Sequence, residues 1–274
     1  QRPSTATAIA RHVTNQVNVR PGDLDALRQV PWRQFVDIYS GLQARVEWEQ
    51  PQIYLPVLNE HMPVHPVDAT HAGIGSDIDY LIGTCRDEMN LFALFMDLEG
   101  SQFERRAQQV FAAAGARRSE VLARYQQLRP DLDAQGCFNA AVGDMWFRMP
   151  ALRIAEGHRR YSEKGTYVYL FEWSSPFIGA AHTLDLMVFG NGLPFSLLAG
   201  FAEYDKTAEF MRKAWVAFAS SGSPEMEAQA WPAYGPGQAT LSIDQSTSRL
   251  DQSYRQQFPM LESIISDSWQ AAGL

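Results

Sequence analysis

DYLIGTCRDEMNLF, residues 79–92, is the stretch on which the fold of this chain turns. Tyr80, Leu81 and Ile82 make a short apolar run that ends at Gly83. Asp87 and Glu88 follow, and then Leu91, Phe92, Leu94 and Phe95 recur at helical spacing. The pattern predicts a buried strand, a turn carrying two adjacent carboxylates, and a helix. Its counterpart lies downstream in TYVYLFEW, residues 166–173, which is β-branched or aromatic almost throughout and predicts the strongest strand in the chain, buried within a sheet. The loop after that strand carries His182. One strand ending in a turn with a carboxylate, and a later one ending in a loop with a histidine, would bring a general base and its orienting acid to one end of a sheet.

Outward from these two stretches the text alternates between helix and strand. Pro21-Gly22-Asp23 makes a turn and cap ahead of a short helix marked by Leu24, Leu27 and Val30. The stretch 31–67 carries Pro51, Pro56, Pro63 and Pro66 and reads as an irregular layer. Residues 103–128 fit two helices broken near Gly115, and 146–158 reads as a helix with Pro150 inside it or near its start. Residues 204–221 form an amphipathic helix through Phe210, Met211, Ala214, Trp215 and Phe218, with Gly222 where a C-cap belongs. A strand near 239–243 and a helix over 258–269 close an α/β chain. With no repeat and no low-complexity linker, no internal boundary is expected within 1–274.

Composition excludes several classes of function. Of the 274 residues 46% are hydrophobic and 20% charged, enough apolar surface for a real core. Lys and Arg number 23 against 31 Asp and Glu, and a net charge of −8 lacks the basic footprint that nucleic acid or an anionic membrane requires. No window approaches the roughly 20 apolar residues of a membrane span. Cys85 and Cys137 are too few for a disulfide framework or a four-thiolate zinc site, and His61, His65 and His71 fall among prolines, so neither metal nor cofactor is expected. Cys85, at a strand end, reads as a buried thiol. Nothing marks a compartment. The chain opens at Gln1 instead of Met, the start expected of a processed product or of a piece of something longer.

Glu88 and His182 lie 94 residues apart with the acid first. In nucleophilic acyl transfer a histidine takes the proton of a serine hydroxyl and returns it to the leaving alcohol, while a carboxylate holds the other ring nitrogen. By spacing alone Glu88 also reads as an ordinary first-turn helix charge, and His182, between Ala181 and Thr183, as a structural histidine.

The wording around both residues separates these readings. LIGTCRDE (81–88) resembles the strand and acid turn of the type-B carboxylesterases, the family of para-nitrobenzyl esterases and cholinesterases, written there LiGTnRDEg with the final Glu as triad acid. Leu55-Pro56-Val57-Leu58 resembles that family's Leu/Pro-rich segment. VYLFEWSSPFIGAAH (168–182), with LDLMVFGN after it, is similar to the strand and loop that deliver the triad histidine. AWVAFASSGSPEMEAQAWPAY (214–234) resembles the signature near the family's C-terminus. Four motifs in order cover about residues 55–250.

The resemblance implies an α/β fold, the C-terminal portion of an α/β-hydrolase with a mixed sheet flanked by helices. It makes Glu88 the acid and His182 the base, and it implies that Leu91 and Phe92, shortly after the acid, line the substrate site; both also read as the core face of a helix. Asp185 fits the family's second carboxylate or a plain surface Asp. No serine here has glycine two residues before and two after it, and the glycine-rich oxyanion segment is missing as well. The expectation is a C-terminal half of a serine carboxylesterase, acting on small carboxylic esters and inactive without its N-terminal half. The open edge before Gly83 would be covered by that companion fragment or by self-association. Three departures stand out: Met89 replaces a glycine, Asn59-Glu60 replaces Asp-Gly, and the run from His182 to Phe189 is one residue short. Two other readings stay open. One is a non-catalytic cholinesterase-like interaction module, which the Met89 departure favours. The other is an autonomous small-ligand domain built on the aromatic text around Trp146 and Phe147.

Overall fold

Prolines set the helix boundaries at the start of the chain: Pro3 and Pro66 open helices, Pro31 stands directly before one, and Pro21, Pro56 and Pro63 lie outside them. The computed structural model describes residues 3–43, 56–94, 118–189, 193–200, 203–227, 229–244, 248–251, 259 and 262–263. They belong to two compact units, 1–65 and 66–274, each described by itself.

The first unit holds α1 (Pro3–Gln16), α2 (Leu24–Gln29) and α3 (Trp32–Gln43). Asp23 caps α2 by accepting the Ala26 N–H at 2.9 Å. Helix α3 corrects the expectation of an irregular layer over 31–67. The prolines that argued against helix stand beyond its end, and WRQFVDIYSGLQ is a proline-free run with Phe35 and Tyr39 one turn apart. Farther on, the Asn59 side chain accepts the His61 and Met62 N–H groups at 2.8 and 3.0 Å, so Asn closes the turn where the family writes Asp-Gly.

The second unit begins with α4 (Pro66–His71) and β1 (Tyr80–Cys85), followed by α5 (Met89–Ala93), α6 (Arg118–Leu128) and α7 (Ala134–Gly143). A π-helical turn, Asp144–Arg148, leads directly into α8 (Met149–Tyr161), with Pro150 in its first turn. Strand β2 (Thr166–Phe171), a 3-10 turn (Leu184–Phe189), α9 (Leu193–Leu198), α10 (Asp205–Ser221), β3 (Thr240–Ile243) and β4 (Ser248–Asp251) complete it. Gly222, at φ 77°, ends α10 in the left-handed conformation expected of a C-cap. Part of the two-helix expectation over 103–128 and most of the terminal helix over 258–269 fall outside the described residues.

The sheet runs β1-β2-β3-β4, the first three strands parallel and β4 antiparallel. Strand β2 lies between neighbours and is the most apolar, as its β-branched and aromatic text demands. Phe171, Trp173, Leu184, Met211, Trp231 and Leu241 are fully or nearly fully buried in the core around it. Among the described residues no strand pairs with the outer edge of β1. Both cysteines are free and buried, Cys85 at 4% and Cys137 at 1% exposure. No described helix is long and apolar enough to cross a membrane.

Candidate active site

Parallel pairing delivers the two candidate residues to one place. Cys85 ends β1 opposite Phe171, the end of β2, so both chains leave the sheet at the same edge. The Arg86 N–H still donates to Phe171 O at 2.9 Å, after which the chain beyond β2 loops out. Ser175 and Gly179 exchange two backbone hydrogen bonds at 3.0 Å, with Gly179 at φ 65°, and this tight turn brings the chain back. Ala181 then resumes a parallel bridge with Asp87, and the next residue of each chain is Glu88 or His182.

The His182 Nδ1–H donates to Glu88 Oε2 at 2.5 Å. The other carboxylate oxygen, Oε1, accepts the Cys85 backbone N–H at 2.7 Å, which pins Glu88 to the end of its own strand. Glu88 is buried at 5% exposure, whereas the His182 side chain remains 32% exposed. With Nδ1 donating, Nε2 of the neutral ring carries the lone pair, and among the described residues it has no hydrogen-bond partner. The hydrogen bond to the Glu88 carboxylate raises the His182 pKa above the ordinary imidazole value. Partial burial opposes this, and the charges of Glu88 and Asp185 add to it. The arrangement is a partly exposed imidazole held by a buried carboxylate.

Aromatic rings flank the imidazole. Phe92 on α5 and Phe147 on the π-helical turn lie 5.1 and 5.0 Å from the imidazole centroid and 6.2 Å from each other. Leu91, one residue before Phe92, instead packs against the core cluster. Asp185 accepts a hydrogen bond from the hydroxyl of the half-buried Tyr169 at 3.0 Å and so is no plain surface carboxylate. Thr183 has φ 73°, a left-handed conformation rare for a β-branched residue, and turns the chain directly into the 3-10 segment. A 3-10 helix rises about 2.0 Å per residue against about 1.5 Å in an α-helix, so it covers distance with fewer residues in the shortened run. Met89, in place of the family's glycine, is buried at 3% exposure at the start of α5, and Glu88 still reaches His182.

The remaining chemistry-bearing residues are otherwise occupied. His158 is buried, accepts the Thr166 hydroxyl at Nδ1 (2.7 Å), donates from Nε2 to Ile78 O (2.9 Å) and stacks on Tyr80, so it is a structural histidine. His71 Nε2 pairs with Arg153 O at 3.0 Å. Burial, then the charges of Asp185 and Glu88, push the Cys85 thiol well up, which leaves it un-ionised and a poor nucleophile. Among the described residues no group of three or more His, Cys, Asp or Glu could hold a metal ion. A cavity of about 320 Å³ lies among Arg86, Asp87, Arg129, Ser175 and Phe177, and neither Glu88 nor His182 lines it. The sequence placed Phe147 in a possible ligand-binding segment. Its position beside His182 was not legible, because the contact depends on the π-helical turn that rotates it there.

Glu88→Gln is expected to lower the His182 pKa toward the ordinary imidazole range, read by NMR titration of the ring protons. The interaction stabilises the fold fully below the unfolded-state value of about 6.5, and that stability is lost as pH rises through the higher folded value. The parent should therefore lose stability relative to the variant across that interval. An unmoved imidazole titration would break the link between the two residues.

The sequence model described as the Carboxylesterase family matches residues 2–260. The para-nitrobenzyl esterase of Bacillus subtilis (strain 168) is 29% identical over 227 residues, 80% of this chain and 45% of the relative. A carboxylesterase of Geobacillus stearothermophilus solved at pH 6.2 superposes with a TM-score of 0.74 at 24% identity, over 95% of this chain and 55% of that one. A thermophilic PNB esterase superposes at 0.72 and 24% identity, again over 95% and 55%. The chain thus spans about half the length of the relatives it matches.

Proposed function

From the premise that this chain belongs to the carboxylesterase family and carries the α/β-hydrolase fold, we propose that Glu88 and His182 are the acid and base of a serine-dependent carboxylic ester hydrolase. The observation that carries this reading is the 2.5 Å contact between His182 Nδ1 and Glu88 Oε2, which leaves Nε2 free to accept a proton. A serine hydroxyl approaching Nε2 would lose its proton to it as the oxygen attacks the ester carbonyl. Glu88 would hold the imidazolium in place, and His182 would return the proton to the departing alcohol. A water molecule, activated by the same imidazole, would then release the acid.

No serine in the sequence has the G-x-S-x-G setting, so the nucleophile comes from a part of the protein outside these 274 residues. In this reading the whole of 1–274 is one portion of a single catalytic domain, and the chain alone is inactive. Its partners are a small carboxylic ester and the serine-bearing part, with the edge of β1 that no described strand pairs as the place where that part, or a second copy, adds a strand. Phe92 and Phe147 make an apolar wall for the ester beside His182, while Leu91 packs against the core cluster. The interaction-module reading rested on Met89, and Met89 has not displaced the acid.

The purified chain is expected to give no p-nitrophenyl butyrate turnover, and turnover should appear when the serine-bearing part is supplied. Turnover by the chain alone that disappears in His182→Ala would overturn the requirement for an outside nucleophile. No turnover from the completed protein would overturn the esterase reading.

A further inference from the structure

Glu88 and His182 are anchored unequally. Glu88 is tied to its own strand by the Cys85 N–H, one turn away. His182 stands at the end of a loop, beyond residues 172–181, and needs an anchor outside its own segment. Asp87 provides one. Its N–H donates to Ala180 O at 2.9 Å, and its Oδ2 accepts the Ala180 N–H at 3.0 Å, so one residue grips the loop peptide from both sides. The loop lies so close on this carboxylate that a Cβ at Gly179 would stand 2.6 Å from Oδ2.

Asp87 is in turn fixed from behind. Arg86 donates to Oδ2 through Nη2 at 2.9 Å and Nε at 3.2 Å, and Arg129 Nη1 reaches Oδ1 at 3.4 Å. Arg86 is braced by the Ser174 hydroxyl at 2.7 Å and faces Glu172 at 3.7 Å, and Arg129 pairs with Asp131 at 3.2 Å. Burial would raise the Asp87 carboxyl. The Arg86 guanidinium foremost, then the Ala180 N–H and Arg129, outweigh it and hold the group below the usual carboxylate range, so it is ionised at neutral pH.

The geometry points to Asp87 as a positioning residue whose carboxylate splints the histidine loop to the acid turn and sets the distance at which Glu88 meets His182. This assignment rests on the reading of Glu88 and His182 as the acid–base pair. The charges that raise the His182 titration are those of Glu88 and Asp185; Asp87 acts through placement. Loss of the splint therefore reaches the imidazole only by way of Glu88.

The test is the NMR titration of His182 in four full-length forms of this chain: parent, Asp87→Ala, Glu88→Gln and the double variant. Asp87→Ala is expected to lower the His182 pKa by part of the Glu88→Gln shift and to add nothing in the Glu88→Gln background. Asp87→Asn keeps the volume and one acceptor but not the charge that holds two guanidiniums. It serves if Asp87→Ala does not fold, with a smaller fall expected. A folded Asp87 variant that titrates like the parent shows a merely structural carboxylate and overturns the splint. A fall that persists in the Glu88→Gln background shows direct electrostatics and overturns it too. If Glu88→Gln itself leaves the titration unmoved, the acid–base reading fails first and takes the splint with it.

Discussion

His182→Ala is expected to lower kcat/KM for p-nitrophenyl butyrate by about 10⁴-fold or more once the serine-bearing part completes the site, a loss of about 5.5 kcal/mol of transition-state stabilisation. The size follows from the two steps proposed for the imidazole. Without it the serine hydroxyl would have no proton acceptor, and the leaving alcohol would have no donor. Among the described residues, Cys85 is buried and un-ionised and His158 has both ring nitrogens engaged, so neither can substitute. The residual rate is whatever ester binding and the oxyanion donors provide. Steady-state rates against substrate concentration check the value. A fall of less than about tenfold would mean that another group serves as the base.

Gly83→Val is expected to cost about 3–5 kcal/mol of stability, seen as a lowered urea midpoint. Gly83 on β1 is paired with Tyr169 on β2, and a Cβ at Gly83 would lie 2.3–2.4 Å from the Tyr169 ring. The ring has no easy way out. It meets Trp215 and Trp231 edge-on, at centroid distances of 5.1 and 6.5 Å, and its hydroxyl is bonded to Asp185. Moving it overpacks the core and breaks a partly buried hydrogen bond. An unchanged midpoint would show that the ring has room to leave, contrary to the packing described above.

Much of the fold was legible because it is written locally. The apolar run before Gly83 and the aromatic run 166–173 became neighbouring parallel strands, and Gly222 stopped α10 where a left-handed cap was due. Helix α3 is hidden in the sequence because the prolines beyond its end dominate the composition of 31–67. Helix α7 was not foreseen: AQGCFNAAVG holds two glycines and an Asn, poor helix formers, and tertiary packing together with the Asp133 cap on Gly136 N overrides them. Strand β4 is four residues with one apolar side chain, too short to show a period. At the site, motif wording pointed to Glu88 and His182, but the carboxylate grip of Asp87 on Ala180 spans 93 residues. No local pattern encodes such a contact.

Finally, the burial of both sulfurs gives the chain a built-in gauge of its own breathing. Cys85 sits at the mouth of the acid turn and Cys137 inside α7, each sealed from solvent. An alkylating reagent can reach either only after that part of the structure has opened. A covalent adduct at Cys85 therefore marks a molecule in which the end of β1 has opened, and one at Cys137 a molecule in which α7 has come loose.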